Sequence, residues 1–359
     1  MKIFRNILTI LFLLGAASCT KSESALIPER AVTYLVAETQ PKTKAGEVSF
    51  LGEFANPADA AFSSMGFFHG QGVSGVQSFY GGVETISWNG SNSWAPSTVY
   101  YWPKGSESYV NFVSWYDKLG TPDIATISET NLSWTGRSSA ADDHIMVADL
   151  AWRYNANAST YHIDNASVVG VPTLFHHMLT RVRFIAKPAK LSESGTTWAV
   201  TVQNFTVKNV YGSGSLSLRN ADPSSTQTRA WTASDGTSAP SWSTSGSTQN
   251  VSGVSSATLT SLDGAEVLAM RSFLPQRLGT IAVNFDYTIR TTYDADNYIE
   301  ESANSGDLRL SAFTGSVTEW GMNRQITYTI TIDPQASVIE IDPYSTAWAE
   351  QPSQMINIE

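Results

Sequence analysis

Three clusters of side chains in this 359-residue sequence have the types that hold metals or move protons. Asp142-Asp143-His144 with Asp149 offers hard and borderline ligands but follows no metal-ligand spacing, so loop-capping carboxylates are the simpler reading. His176-His177 is the only histidine pair. On a strand, neighbouring rings point to opposite faces, and one site does not easily use both. Asp294, Asp296, Asn297 and Glu300 are spaced like the start of a calcium loop. They lack the glycine at its sixth position and the glutamate at its twelfth, which leaves an acidic hairpin tip. Serine is abundant, yet no Gly-x-Ser-x-Gly elbow, phosphate-cradling glycine loop or zinc-protease helix is present. These residues therefore point away from an enzyme, and no metal or cofactor is expected. Trp88, Trp94 and Trp102 have faces on which a sugar can stack, but Tyr100-Tyr101-Trp102-Pro103 also reads as a core strand running into a turn.

The elements that must position these groups are strands. Aromatic residues make up 11% of the chain, charged residues only 15%, and the net charge is −10. That balance excludes nucleic acid as a partner, because binding the phosphate backbone needs a basic stripe. Period-2 alternation recurs at Val32 to Val36, Tyr109 to Val113, Thr180 to Ile185, Ala199 to Val207, Thr280 to Ile289 and Gln325 to Ile332. Half-buried antiparallel strands have this pattern, and the expected fold class is all-β. Asn56 to Met65 and Phe175 to Leu179 are the only stretches with room for a helical turn or two. Length predicts two domains, with a boundary at the proline-bearing stretch Lys187-Pro188-Ala189-Lys190. Residues 220–257 form a Ser/Thr/Gly tract, expected to be a long exposed connection with at most a short hairpin.

The single cysteine, Cys19, ends an apolar run. Lys2 and Arg5 give a positive start, Ile7 to Ala17 are almost all apolar, and Ala16-Ala17-Ser18 lead into Cys19. The run is too short to span a bilayer, and its parts are those of a secretory signal. With a cysteine at the cut point, residues 1–18 resemble a bacterial lipoprotein signal peptide, and Cys19 is the expected lipidation site. At ~0.8 kcal/mol per buried methylene, two or three acyl chains hold a protein on a membrane surface. With no cysteine beyond position 19, no disulfide helps the fold, and core burial must supply the stability.

Several segments, in order, resemble the fimbrillins, the type V pilins and related anchored lipoproteins of Bacteroidota. They are the strand Ala31 to Thr39, the loop Pro41-Lys42-Thr43-Lys44-Ala45, Met65-Gly66-Phe67-Phe68, Tyr100-Tyr101-Trp102-Pro103 and Val110 to Tyr116. Asp142 to Asp149, Phe175 to Phe184, Phe273-Leu274-Pro275-Gln276 and Ile339 to Pro343 before Trp348 complete the set. The resemblance implies two tandem transthyretin-like antiparallel β-sandwich domains. It divides the chain into a lipidated pro-segment with a removable first strand (19–44), sandwiches over 45–187 and 188–347, and a tail over 348–359.

The resemblance also implies a mechanism of assembly on the outer membrane. A trypsin-like protease cuts the loop after the first strand, and a segment of another fimbrial subunit fills the groove left behind. Val32, Tyr34 and Val36 share one face of the removable strand, Lys44 and Lys42 are the expected processing sites, and Met355, Ile356 and Ile358 form the expected donor strand. Relatives cut by an arginine-specific protease carry arginine in this loop, whereas this chain carries lysine. A lysine-cutting protease would serve, or the chain stays anchored by its lipid. The expected role is a structural or accessory subunit of a cell-surface fimbria that supports adhesion. The alternative is a permanently anchored surface lipoprotein that captures a glycan or host receptor through exposed aromatics.

Overall fold

A computed structural model describes residues 31–38, 61–70, 72–88, 94–104, 108–117, 124–129, 131–134, 145–148, 151–154, 170–217, 241–313 and 317–347. Apart from one 3₁₀ turn at Leu310–Ala312, the regular structure of these residues is β-strand. Among them no helix is long and apolar enough to cross a membrane. The helical turns expected at Asn56 to Met65 and Phe175 to Leu179 are replaced, where described, by the strands Ala61–His69 and Val171–His177. Phe62, Ser64 and Gly66 bury one face of the former in a period of two, which overrides a weak helical spacing.

The clearest alternation builds the second core. In Thr180–Pro188 every second residue is buried, and Ile326, Tyr328, Ile330 and Ile332 do the same in Arg324–Asp333. Each such apolar side chain contributes roughly 1.5–3 kcal/mol when taken out of water. The two strands lie side by side, flanked by Glu266–Phe273 and Val338–Ala347. Facing them is a sheet centred on the long strand Thr196–Ser217, which pairs with Ala282–Thr292. Phe184 stacks on its register partner Tyr328 at 5.1 Å within the first of these sheets. Most pairings are antiparallel, as alternation implies, but Thr180–Pro188 runs parallel to Arg324–Asp333 over nine rungs. Alternation encodes which face is buried and carries no information on strand direction.

In the first half the sheet closes on itself. From Tyr109–Asp117, neighbours run through Ile145–Ala148, Val171–His177, Tyr34–Glu38, Trp94–Pro96, Glu84–Trp88 and Ala61–His69. The last of these pairs again with Tyr109–Asp117, from Ser63↔Trp115 to His69↔Tyr109. Inside the ring lie Val32, Tyr34, Val36, Phe62, Ile86, Trp94, Phe112 and Phe175.

A third cluster locks the two halves together. Val113, Trp115, Ile145 and Val147 present the outer face of the ring to Leu132 and Trp134, and Leu216 of the long strand packs into the same cluster. The hairpin Ile124–Ser128 and Asn131–Trp134 pairs with Gly214–Ser217, so a segment of the first half extends the second sheet. The boundary expected at 187/188 falls inside this arrangement. Val182, Phe184 and Ala186 already belong to the second core, and Ala189 donates its N–H to Ile332 O at 2.8 Å. Proline sits at the end of a strand there, where a ladder donor is dispensable.

The Ser/Thr/Gly tract also differs from expectation, because Ser241–Ser252 is a strand paired with the long strand. Backbone pairing and two apolar anchors, Trp242 packed on Trp134 at 5.3 Å and Val251 against the second core, hold it in place of an apolar face. Just past its end, a Cβ on Gly253 would lie 2.4 Å from Leu268 O and 2.8 Å from Phe205 Cδ1. The backbone oxygen cannot swing aside. Gly253→Ala is therefore expected to lower the unfolding free energy by about 1–3 kcal/mol, whereas Gly82→Ala, with nothing within 4 Å, leaves it nearly unchanged. Urea midpoints of the two variants check this.

Candidate functional site

The first strand, Tyr34–Glu38, is a keystone of the closed sheet. It runs parallel to Val171–His177, from Tyr34↔Val171 to Glu38↔Phe175, and meets Trp94 on its other side. Val32 donates its N–H to Tyr100 O at 2.8 Å, and Thr33 O accepts from Val171 N at 2.7 Å. Val32, Tyr34 and Val36 point into the ring, with relative exposures of 2%, 1% and 1%.

Tyr34 sits at the centre. Its ring meets Phe62 edge-on at 5.5 Å and Phe112 at 5.8 Å. Its hydroxyl donates to Ser64 Oγ at 3.0 Å and is hydrogen-bonded to the Tyr80 hydroxyl. Ser64 Oγ also lies 2.9 Å from Ser114 Oγ. Burial raises the Tyr34 phenol well above its ordinary range, partly opposed by the bonds to Ser64 and Tyr80. Burial and then the neighbouring Tyr34 raise Tyr80 in the same direction, so both phenols stay neutral and serve as hydrogen-bonding groups.

Sequence reasoning placed Val32, Tyr34 and Val36 on one face but did not find Ser64, Ser114 or Tyr80. The signal available was a serine at an inward position of an otherwise apolar alternation, Phe62-x-Ser64. Also missed was His69, whose Nε2 lies 2.7 Å from Glu129 Oε1 while Asn111 Nδ2 donates to Glu129 Oε2 at 3.2 Å. Tyr109 stacks on the His69 ring at 4.6 Å. These contacts tie the 124–134 hairpin to the ring.

Other expected sites fall as follows. Cys19, Lys42, Lys44, Met355, Ile356 and Ile358 lie outside the described residues, as do Asp142, Asp143, His144 and Asp149. Trp94 and Trp102 are buried in the first core, so their faces are not available to a sugar; Trp88 is half-buried and packs on Trp94 at 5.8 Å. Asp294 Oδ1 accepts the backbone N–H groups of Asp296 and Asn297, both at 3.0 Å, and so closes the hairpin tip. Glu300 faces Arg290 across the strands at 3.8 Å. His177 is buried and His176 half-buried on one strand. Among the described residues, no three His, Cys, Asp or Glu side chains stand close enough to hold a metal. A cavity of about 640 Å³ is lined by Tyr211, Trp242, Arg277 and Trp320. Its inner polar groups are engaged, with Gln276 bonded to Tyr211 N and Leu274 O, and Trp320 Nε1 to the Tyr328 hydroxyl.

The profile of the fimbrillin-like family matches residues 68–348. The chain belongs to the fimbrillin-like family. A fimbrial protein from Bacteroides vulgatus shares its fold with a TM-score of 0.55, at 12% identity over 89% of this chain and all (100%) of that one. A cell adhesion protein from Parabacteroides distasonis gives a TM-score of 0.49, at 10% identity over 90% of this chain and 98% of that one. No curated protein matches the sequence. At 12% identity the Bacteroides vulgatus structure shares the fold alone, and residue roles in this fimbrillin-like chain rest on its own geometry.

Proposed function

We propose that this fimbrillin-like protein is a structural or accessory subunit of a cell-surface fimbria. On this reading it is exported as a lipoprotein on Cys19, cut at Lys44 or Lys42 by a trypsin-like protease, and polymerised by strand exchange at the outer membrane. The observation that carries the reading is the place of the first strand. It closes an otherwise continuous sheet, buries Tyr34 and Val36 in the core with Val32 just before it, and pairs by a parallel ladder rather than a hairpin.

A strand in that position is both well held and separable. While tethered it competes at an effective concentration of ~mM, which excludes other chains. Cutting the connection removes that advantage. Departure would bare two ladder edges and an apolar trough, and an extended segment of another subunit restores both by β-augmentation. The tail with Met355, Ile356 and Ile358 is the donor on this reading.

Two measurements test it. Full-length protein cut after Lys44 is expected to pass from monomer to oligomers in light scattering, and loss of residues 348–359 is expected to stop this. A cut protein that stays monomeric, indifferent to the tail, would sink the polymerisation reading. Mass spectrometry of the N-terminus on cell surfaces then separates the roles. A start at Ala45 marks an assembled subunit, and a lipidated Cys19 marks an anchor.

A further inference from the structure

We infer, resting on the strand-exchange reading, that the strand which replaces Tyr34–Glu38 carries a tyrosine in register with Tyr34, and that it is not the 348–359 tail of another copy. The trough is not uniformly apolar. At its deepest point, between Phe62 and Phe112, it ends in the hydroxyls of Ser64 and Tyr80, with relative exposures of 0% and 8%. The Tyr34 ring spans the apolar walls and its hydroxyl reaches that polar floor.

An aliphatic side chain at this register would fill only part of the space. A phenylalanine would fill the walls but leave the Tyr80 hydroxyl without the bond it makes to Tyr34. Ser64 would keep Ser114 as a partner, so the loss falls on Tyr80. Leaving a buried hydroxyl unmatched is far more costly than exchanging one good partner for another. The trough thus selects an apolar–tyrosine–apolar triad at alternate positions, the pattern of Val32, Tyr34 and Val36. Residues 348–359 contain no tyrosine, and the alternation Ile356, Ile358 puts only aliphatic groups on a face. The chain's own tail is therefore a poor match for its own trough and suits a differently lined one.

Strand uptake by the full chain tests this directly. A site for a sequence-specific protease replaces the loop 41–45 and is cut in place, and labelled peptides are then offered. They are the 31–39 sequence, its Tyr34→Phe and Tyr34→Ile versions, and the 348–359 tail. The Phe peptide is expected to bind on the order of tenfold more weakly than the Tyr peptide, and the Ile and tail peptides more weakly still. In protein carrying Tyr80→Phe and Ser64→Ala, which leave the trough walls intact, the Tyr and Phe peptides are expected to bind within about twofold of each other. A Phe or tail peptide that matches the Tyr peptide on unaltered protein overturns this inference and leaves strand exchange standing. Uptake of no peptide at all, the 31–39 sequence included, overturns both.

Discussion

Tyr34→Ala is expected to lower the unfolding free energy of the intact chain by about 3–5 kcal/mol, the range for truncating a buried aromatic residue. The ring leaves a void between Phe62 and Phe112, and the hydroxyls of Ser64 and Tyr80 lose their common partner. Tyr34→Phe keeps the packing and removes only the hydroxyl, so its cost is about 1–3 kcal/mol. The loss is also local. Because the first strand belongs to the first core and makes no pairing with the second, amides of 34–38 and 171–175 are expected to exchange faster before the second core responds. Urea unfolding with hydrogen exchange checks both parts. A Tyr34→Ala cost under about 1 kcal/mol, or exchange that rises evenly over the molecule, would show that the strand is not a separable unit.

Trp134→Ala is expected to uncouple the two halves. Trp134 is buried to 1% and packs on Trp242, whose Nε1 donates to Met178 O at 3.1 Å. Its hairpin extends the second sheet while its side chain belongs to the cluster that covers the outer face of the first ring. Truncation costs about 3–5 kcal/mol and empties the middle of that cluster. Calorimetry is expected to show the transition splitting in two, since each half retains its own core. Trp242→Ala removes only the half-buried partner and should leave one transition. A single, little-shifted transition for Trp134→Ala would show that the third cluster does not couple the halves.

Much of the fold was legible because strands declare their buried face in every second residue. Val182 and Phe184, or Ile326, Tyr328 and Ile330, show it plainly, and so do Val32, Tyr34 and Val36. Partners and directions were not legible. Nothing in Val32 to Val36 says that it lies parallel to residues near 171, because alternation is blind to direction. The Ser241–Ser252 strand was invisible for the opposite reason, having only Trp242 and Val251 as apolar side chains and owing its place largely to pairing. The site was half legible. The apolar face of the first strand could be read locally, whereas its polar floor is assembled from Ser64, Tyr80 and Ser114, which only pairing brings together.

The parallel ladder of the first strand also fixes an order of events in time. Residues 34–38 leave the ribosome early, yet their seat requires residues 171–175, more than a hundred positions later. Contacts at such separation close late, because the loop entropy must be met before the ladder rewards it. The first-made strand of the ring is thus placed only after its last-made strand, Val171–His177, and until then the nascent ring has a gap. Until that gap closes, the ring presents the same open edges that loss of the first strand would bare. Newly made chains therefore pass through an interval in which the edges beside Val171–His177 and Trp94–Pro96 lack their partner strand.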